Sequence, residues 1–132
     1  MIDRLGATWT EPGRCHFRVW APQRTRLGVH LLAEGAPSRN IPMEPGSRGY
    51  YEAAVDDVSP GSVYSYGLDG KLERPDPASR FQPQGVHGPS QVLDPRFNWT
   101  DAYWRGLPLQ DYIFYELHVG TFYRIFGQGF RC

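Results

Sequence analysis

Val63–Arg74 reads VYSYGLDGKLER. Tyr64, Tyr66 and Leu68 recur at every second residue, so they share one face of a strand. Asp69-Gly70 follows, a pair suited to a two-residue hairpin turn because both central positions need positive φ. Lys71 to Glu73 then returns along a partner strand. This one stretch supplies an antiparallel pair with one face buried and the other exposed.

Towards the N-terminus the same pattern repeats. Tyr51, Ala53 and Val55 alternate, and Ser59-Pro60-Gly61 makes a turn with proline and glycine suitably placed. Leu27, Val29 and Leu31 form another alternating run, broken by Ala36-Pro37-Ser38. A weaker run lies around Ile41–Met43. In CHFRVWAP, Cys15, Phe17 and Val19 share one face and His16, Arg18 and Trp20 the other, until Pro22 ends the strand. Met1 to Gly13 leads into a Pro12-Gly13 turn. The reading is an all-β chain of roughly six short strands, near 15–20, 26–32, 50–55, 62–68 and 71–74 with the weak run between them. Regular short strands with such turns indicate a β-sandwich.

Towards the C-terminus the chain enters Arg74–Val92, RPDPASRFQPQGVHGPSQV. Its four prolines exclude a regular helix or a central strand. Phe81 and Val86 can anchor it, and its glutamines, arginines and His87 can hydrogen-bond. It reads as a stiff strap laid across a surface, since flexible linkers are richer in glycine and serine. Beyond it, a connector carries Trp99, Trp104 and a possible N-cap at Thr100. Then YIFYELHVGTF, Tyr112–Phe122, is almost continuously apolar, like a parallel strand buried on both faces. An unpaired strand of this kind invites self-association.

The 132 residues balance 14 Lys and Arg against 14 Asp and Glu. Nothing in that balance attracts a nucleic-acid backbone or an anionic membrane. MIDRLGATW has no apolar signal region and no run is long enough to span a bilayer, so a cytoplasmic location is expected. Cys15 and Cys132 stand at opposite ends, and no His/Cys spacing suits zinc, so neither a metal nor another cofactor is expected.

Catalytic chemistry is hard to place. Asp56-Asp57 is the adjacent acid pair, but neighbours on a strand point to opposite faces. Asp76, between two prolines, reads as a turn cap or a partner of Arg74 or Arg80. Glu116 and His118 share one strand face. His87 reads as a hydrogen-bonded loop histidine, and His16 and His30 as solvent-face residues. A sugar ring needs an exposed aromatic face beside polar groups, which makes Trp9, Trp99 and Trp104 the glucan-contact candidates. Trp20, just before Ala-Pro, reads as core.

HFRVWAP, SPGSVYSYGLDG, RPDPASRFQPQGVHGPSQV and FNWTDAYWRGLPLQDYIFYELHVGTF together resemble the N-terminal region of the malto-oligosyltrehalose trehalohydrolases, α-amylase-type glycoside hydrolases. The first two motifs are similar to those of branching and debranching enzymes as well. The resemblance implies an immunoglobulin-like, glycogen-binding-module-like early-set sandwich over residues 1–74. A proline-rich inter-domain strap would follow over 75–95, offering Asp76, Arg80, Gln82, His87 and Gln91. A connector and the first strand of an incomplete (β/α)₈ barrel would occupy 96–122, with Glu116 and His118 on that strand. Residues 123–132 depart from the family's pattern. The family's catalytic acids lie on later barrel strands, so no catalytic residue is expected here. The implied parent reaction is hydrolysis of the α-1,4 bond next to the terminal trehalose of maltooligosyl trehalose. An independent α-glucan-binding module, or the N-terminal domain of a branching or debranching enzyme, remains the alternative.

Overall fold

The computed structural model describes residues 4–10, 13–32 and 37–117. The chain divides into two compact units, Met1–Pro95 and Arg96–Cys132.

The first unit is an immunoglobulin-like sandwich of two antiparallel sheets. Its strands are β1 Gly6–Thr10, β2 Arg14–Trp20, β3 Leu27–Leu32, β4 Arg39–Pro42, β5 Glu44–Pro45, β6 Tyr50–Val55, β7 Val63–Leu68, β8 Leu72–Arg74 and β9 Ser90–Gln91. One sheet runs β1-β2-β6-β5. The other runs β4-β3-β7-β8, and β9 also pairs with β7. The register sets Phe17 opposite Ala53 and Val29 opposite Tyr66, so each strand turns its alternating apolar residues inward. Cys15, Phe17, Val19, Val29, Tyr64, Tyr66, Val58 and Val92 are buried there. Tyr64 makes edge contacts with both Phe17 (4.9 Å) and Tyr66 (5.9 Å), a geometry that aligns the positive edge of one ring with the negative face of the next.

The turns follow the sequence chemistry. Asp69 and Gly70 both take positive φ, +51° and +70°, and Lys71 N–H donates to Leu68 C=O at 3.1 Å. The Asp69 carboxylate accepts from the backbone N–H groups of Thr25 and Arg26 and from the Thr25 hydroxyl, each at 3.0 Å. Those bonds hold its pKa below the usual carboxylate value and tie the β7–β8 turn to the start of β3.

Three strands escape the sequence reading. β1 offers only Ala7 and Trp9 as inward residues, too few to stand out as an alternation. β5 and β9 are two residues each. β9 begins just after Pro89, where the missing N–H costs no ladder bond.

The second unit contains a turn closed by Trp104 N–H to Asp101 C=O at 2.8 Å, where a helical turn after Thr100 was expected. A 3₁₀ turn lies at Leu109–Asp111, entered from Pro108. Residues 112–117 form no strand among the described residues. A parallel barrel strand takes its ladder bonds from neighbours on both sides. His118 and the rest of the expected strand lie outside the described residues.

Candidate functional site

The strap is pinned to the sandwich by a buried carboxylate. Asp76 is 3% exposed. Its Oδ2 accepts from Tyr64 Oη at 2.7 Å and from Tyr66 Oη at 3.3 Å. Its Oδ1 accepts from Ala78 N–H at 2.8 Å, while its own N–H donates to Ser90 Oγ at 3.0 Å. The two tyrosines descend from β7, Ser90 belongs to β9, and Ala78 completes the turn that Asp76 opens. Burial pushes the Asp76 carboxyl up, against the opposing pull of these hydrogen bonds and of Arg80. Burial, joined by the nearby carboxylate, raises both tyrosines well above the ordinary phenol value. The arrangement keeps the phenols as donors and cannot activate them as bases or nucleophiles.

The other strap residues add backbone contacts. Arg80 donates to Ala7 C=O (2.9 Å) and Leu5 C=O (3.3 Å), stitching the strap to β1. Gly6 permits this approach: at φ +86°, a Cβ there would sit 3.0 Å from Ala78 C=O. Gln82 Nε2 donates to Val86 C=O and Gly88 C=O at 3.0 and 3.1 Å, folding the strap on itself. Gln91 N–H donates to Phe81 C=O and its side chain to Gly61 C=O, both at 2.9 Å. His87 is exposed above a shallow cleft lined by Leu32, Ser65 and Glu73. It makes no side-chain hydrogen bond among the described residues, unlike the bonded histidine expected from its setting. In that cleft Glu73 is shared between His30 Nδ1 at 2.6 Å and Ser65 Oγ at 3.0 Å. Because Ser65 bonds to Glu73 rather than to His30, this is not a nucleophile–base pair.

The tryptophans separate into distinct roles. Trp9 packs against the core and donates Nε1–H to Val58 C=O at 3.0 Å. Trp99 and Trp104, in the second unit, are exposed, with Phe97 edge-on to Trp99 at 4.7 Å. Trp20 corrects the sequence reading: it is 57% exposed rather than core. As the last residue of β2 on the outward side, it escapes the sandwich, and its Nε1–H donates to Arg48 C=O at 3.1 Å.

Asp56 pairs with Arg14 at 3.5 Å, both exposed. Asp57 holds positive φ in the turn after β6. Glu116 is exposed in the second unit. Among the described residues no cluster of His, Cys, Asp or Glu could hold a metal ion. Among the described residues no helix is long and apolar enough to cross a membrane.

Residues 4–94 match the family of carbohydrate-binding module 48, the isoamylase N-terminal domain. The chain belongs to that family. This module-48 chain is 41% identical over 106 residues to the malto-oligosyltrehalose trehalohydrolase of Saccharolobus solfataricus, covering 80% of the chain and 18% of that protein. It is 41% identical over 121 residues to the Deinococcus radiodurans enzyme of the same name, covering 90% of the chain and 19% of that protein. The 1,4-α-glucan branching enzyme of Deinococcus radiodurans is 29% identical over 119 residues, covering 82% and 17%. Among solved structures, a putative α-amylase from Salmonella typhimurium superposes with a TM-score of 0.75 at 30% identity, over 92% of this chain and 20% of that one. The module-48 chain thus spans about a fifth of the length of the curated relatives it matches.

Proposed function

We propose that this chain is the non-catalytic N-terminal region of a cytoplasmic hydrolase that releases trehalose from maltooligosyl trehalose. In trehalose biosynthesis, the parent would cut the α-1,4 bond beside the terminal trehalose unit. The observation that carries this reading is the 41% identity to a trehalohydrolase over 90% of the chain. A match of that span runs past Pro95 into the second unit, and it exceeds the 29% identity to a branching enzyme over a similar length. In this reading residues 1–74 are the sandwich, 75–95 the strap between sandwich and barrel, and 96–122 the connector and first barrel strand carrying Glu116 and His118. Residues 123–132 are an atypical tail.

The test is a pair of chimeras. This chain replaces the matching region of the Deinococcus radiodurans trehalohydrolase in one and of its branching enzyme in the other. Trehalose release from maltooligosyl trehalose by the first, with loss of branching in the second, supports the reading. Function of the branching chimera alone refutes it.

A second reading, an independent α-glucan-binding module, is favoured by the exposed Trp99 and Trp104. Retention of the chain on glycogen, abolished by W99A or W104A, would support it. Self-association is a further proposal, resting on Tyr112–Phe122, where Ile113 is 98% exposed. A monodisperse monomer in sedimentation contradicts it.

A further inference from the structure

We propose that the Asp94–Pro95 peptide bond is a built-in scission point, at which the chain cuts itself in mild acid and releases an intact sandwich. The inference stands apart from the trehalohydrolase reading. The sequence holds two Asp-Pro bonds, Asp76–Pro77 and Asp94–Pro95. Such a bond carries its own nucleophile and its own leaving group, so its cleavage begins as a unimolecular step. The aspartate carboxylate attacks the carbonyl carbon of its own residue and closes a cyclic anhydride. The bond that breaks is the one to the proline nitrogen. That tertiary amide nitrogen takes a proton from the acidic solvent and departs as a secondary amine. Water then opens the anhydride and leaves aspartate as the new C-terminal residue. The net reaction consumes one water per cut.

The fold sets the two bonds apart. At Asp76 the attack is blocked. The residue is 3% exposed. Its Oδ1 is held by Ala78 N–H and its Oδ2 by the hydroxyls of Tyr64 and Tyr66. Its own C=O, the target of the attack, accepts from Ser79 N–H at 3.0 Å. Turning the carboxylate onto that carbonyl would leave two buried phenols without their acceptor. Asp94 and Pro95, by contrast, are both exposed, within a stretch over 92–99 that has no regular secondary structure. Beside them lies a cavity of about 100 Å³, lined in part by Arg4, Thr8 and Gln91. A polar cavity of that size admits water, the second reactant.

The position of the cut gives it a consequence. Asp94–Pro95 is the last peptide bond of the first unit. The buried core of the described residues closes at Val92. Strand β9 and the strap anchor Asp76 stay with the larger piece, joined by the bond from Asp76 N–H to Ser90 Oγ. Residues 1–94 therefore keep the described core and the pairings of both sheets. The piece from Pro95 onwards carries the exposed Trp99, Trp104 and Ile113.

The test incubates the full 132-residue chain at pH 4, below its melting temperature, and follows fragment masses over days while circular dichroism monitors the fold. Samples are dissolved in denaturant before each mass measurement, so precipitation hides no cut. The folded chain should yield fragments 1–94 and 95–132, with Asp94–Pro95 cut at least tenfold faster than Asp76–Pro77. In urea at the same pH the two bonds should be cut at comparable rates, because the shield around Asp76 is gone. Asp94→Ala and Pro95→Ala, both at exposed positions, should keep the fold and slow the cut tenfold or more. The purified 1–94 fragment should retain the β-sheet spectrum. Equal cutting of the two bonds in the folded chain overturns the inference. So does a folded chain that resists at Asp94–Pro95 while the unfolded chain is cut there, or the absence of a cut in either state. A cut that persists in Asp94→Ala overturns the mechanism, and an unfolded 1–94 fragment overturns the release of an intact sandwich.

Discussion

The Tyr64 hydroxyl donates to the Asp76 carboxylate at 2.7 Å, joining a core strand to the strap twelve residues later. Tyr66 adds a second bond from the same strand and Ser90 ties Asp76 to β9, so the strap is built into the sandwich. Removing Asp76 would leave two buried phenols without their acceptor, and an unsatisfied buried donor costs about 1–3 kcal/mol. Asp76→Ala is expected to lose roughly 2–4 kcal/mol in urea unfolding. Hydrogen exchange should rise across residues 75–91 before the core strands.

Asp76 also gives the fold a pH signature. Its folded pKa is raised, because burial outweighs the hydrogen bonds it accepts. A raised folded pKa means that the native state holds the proton more tightly than the unfolded chain. The associated stability is present below the unfolded value of 3.8 and is lost as pH rises through the folded pKa. Asp76→Asn cannot titrate there. The stability difference, wild type minus Asp76→Asn, should therefore fall as pH rises from about 3 through the folded pKa, then level off. A difference that grows with pH would contradict the assignment.

Gly49 is set by conformation and by contact. At φ +81° with Pro22 2.6 Å from a would-be Cβ, Gly49→Ala meets strain and a clash together. The expected loss is about 2–4 kcal/mol. Gly61→Ala serves as control, since φ is +94° but nothing lies within 4 Å. It should cost about 1 kcal/mol. Thermal unfolding of the two variants separates strain from clash.

Cys15 should be chemically silent in the native state. It is fully buried on β2, and burial pushes its thiol up to about 12. The thiolate is the reactive form, so little exists at neutral pH. Mass spectrometry after iodoacetamide treatment at pH 8 should find Cys15 unmodified when folded and modified in denaturant.

Much of this fold was legible in the sequence. Cys15-Phe17-Val19, Leu27-Val29-Leu31 and Tyr51-Ala53-Val55 declared their inward faces through period two, which requires only local geometry. The Asp69-Gly70 turn declared itself through the positive φ that few residue types tolerate. What stayed hidden depends on contacts between distant residues. Asp76 could be read as a turn cap from its prolines, but only the fold brings Tyr64, Tyr66 and Ser90 around its carboxyl group. Trp20 looked like core from its place just before Ala-Pro at a strand end, yet its alternation with Val19 already put it on the outward face. Trp9 was picked as a sugar contact, and its bond to Val58 C=O, 49 residues away, had no local signal.

The most direct measurement of the central claim is trehalose release from maltooligosyl trehalose by the purified 132-residue chain, beside the Deinococcus radiodurans trehalohydrolase as positive control. Retaining glycoside hydrolysis needs two carboxyl groups about 5–5.5 Å apart around the scissile bond; among the described acids, Asp56 is in an exposed ion pair, Asp57 and Asp69 hold turns, and Asp76 is the buried strap anchor. The account predicts release by the control and none above the buffer rate by this chain. Turnover by the isolated chain would contradict it.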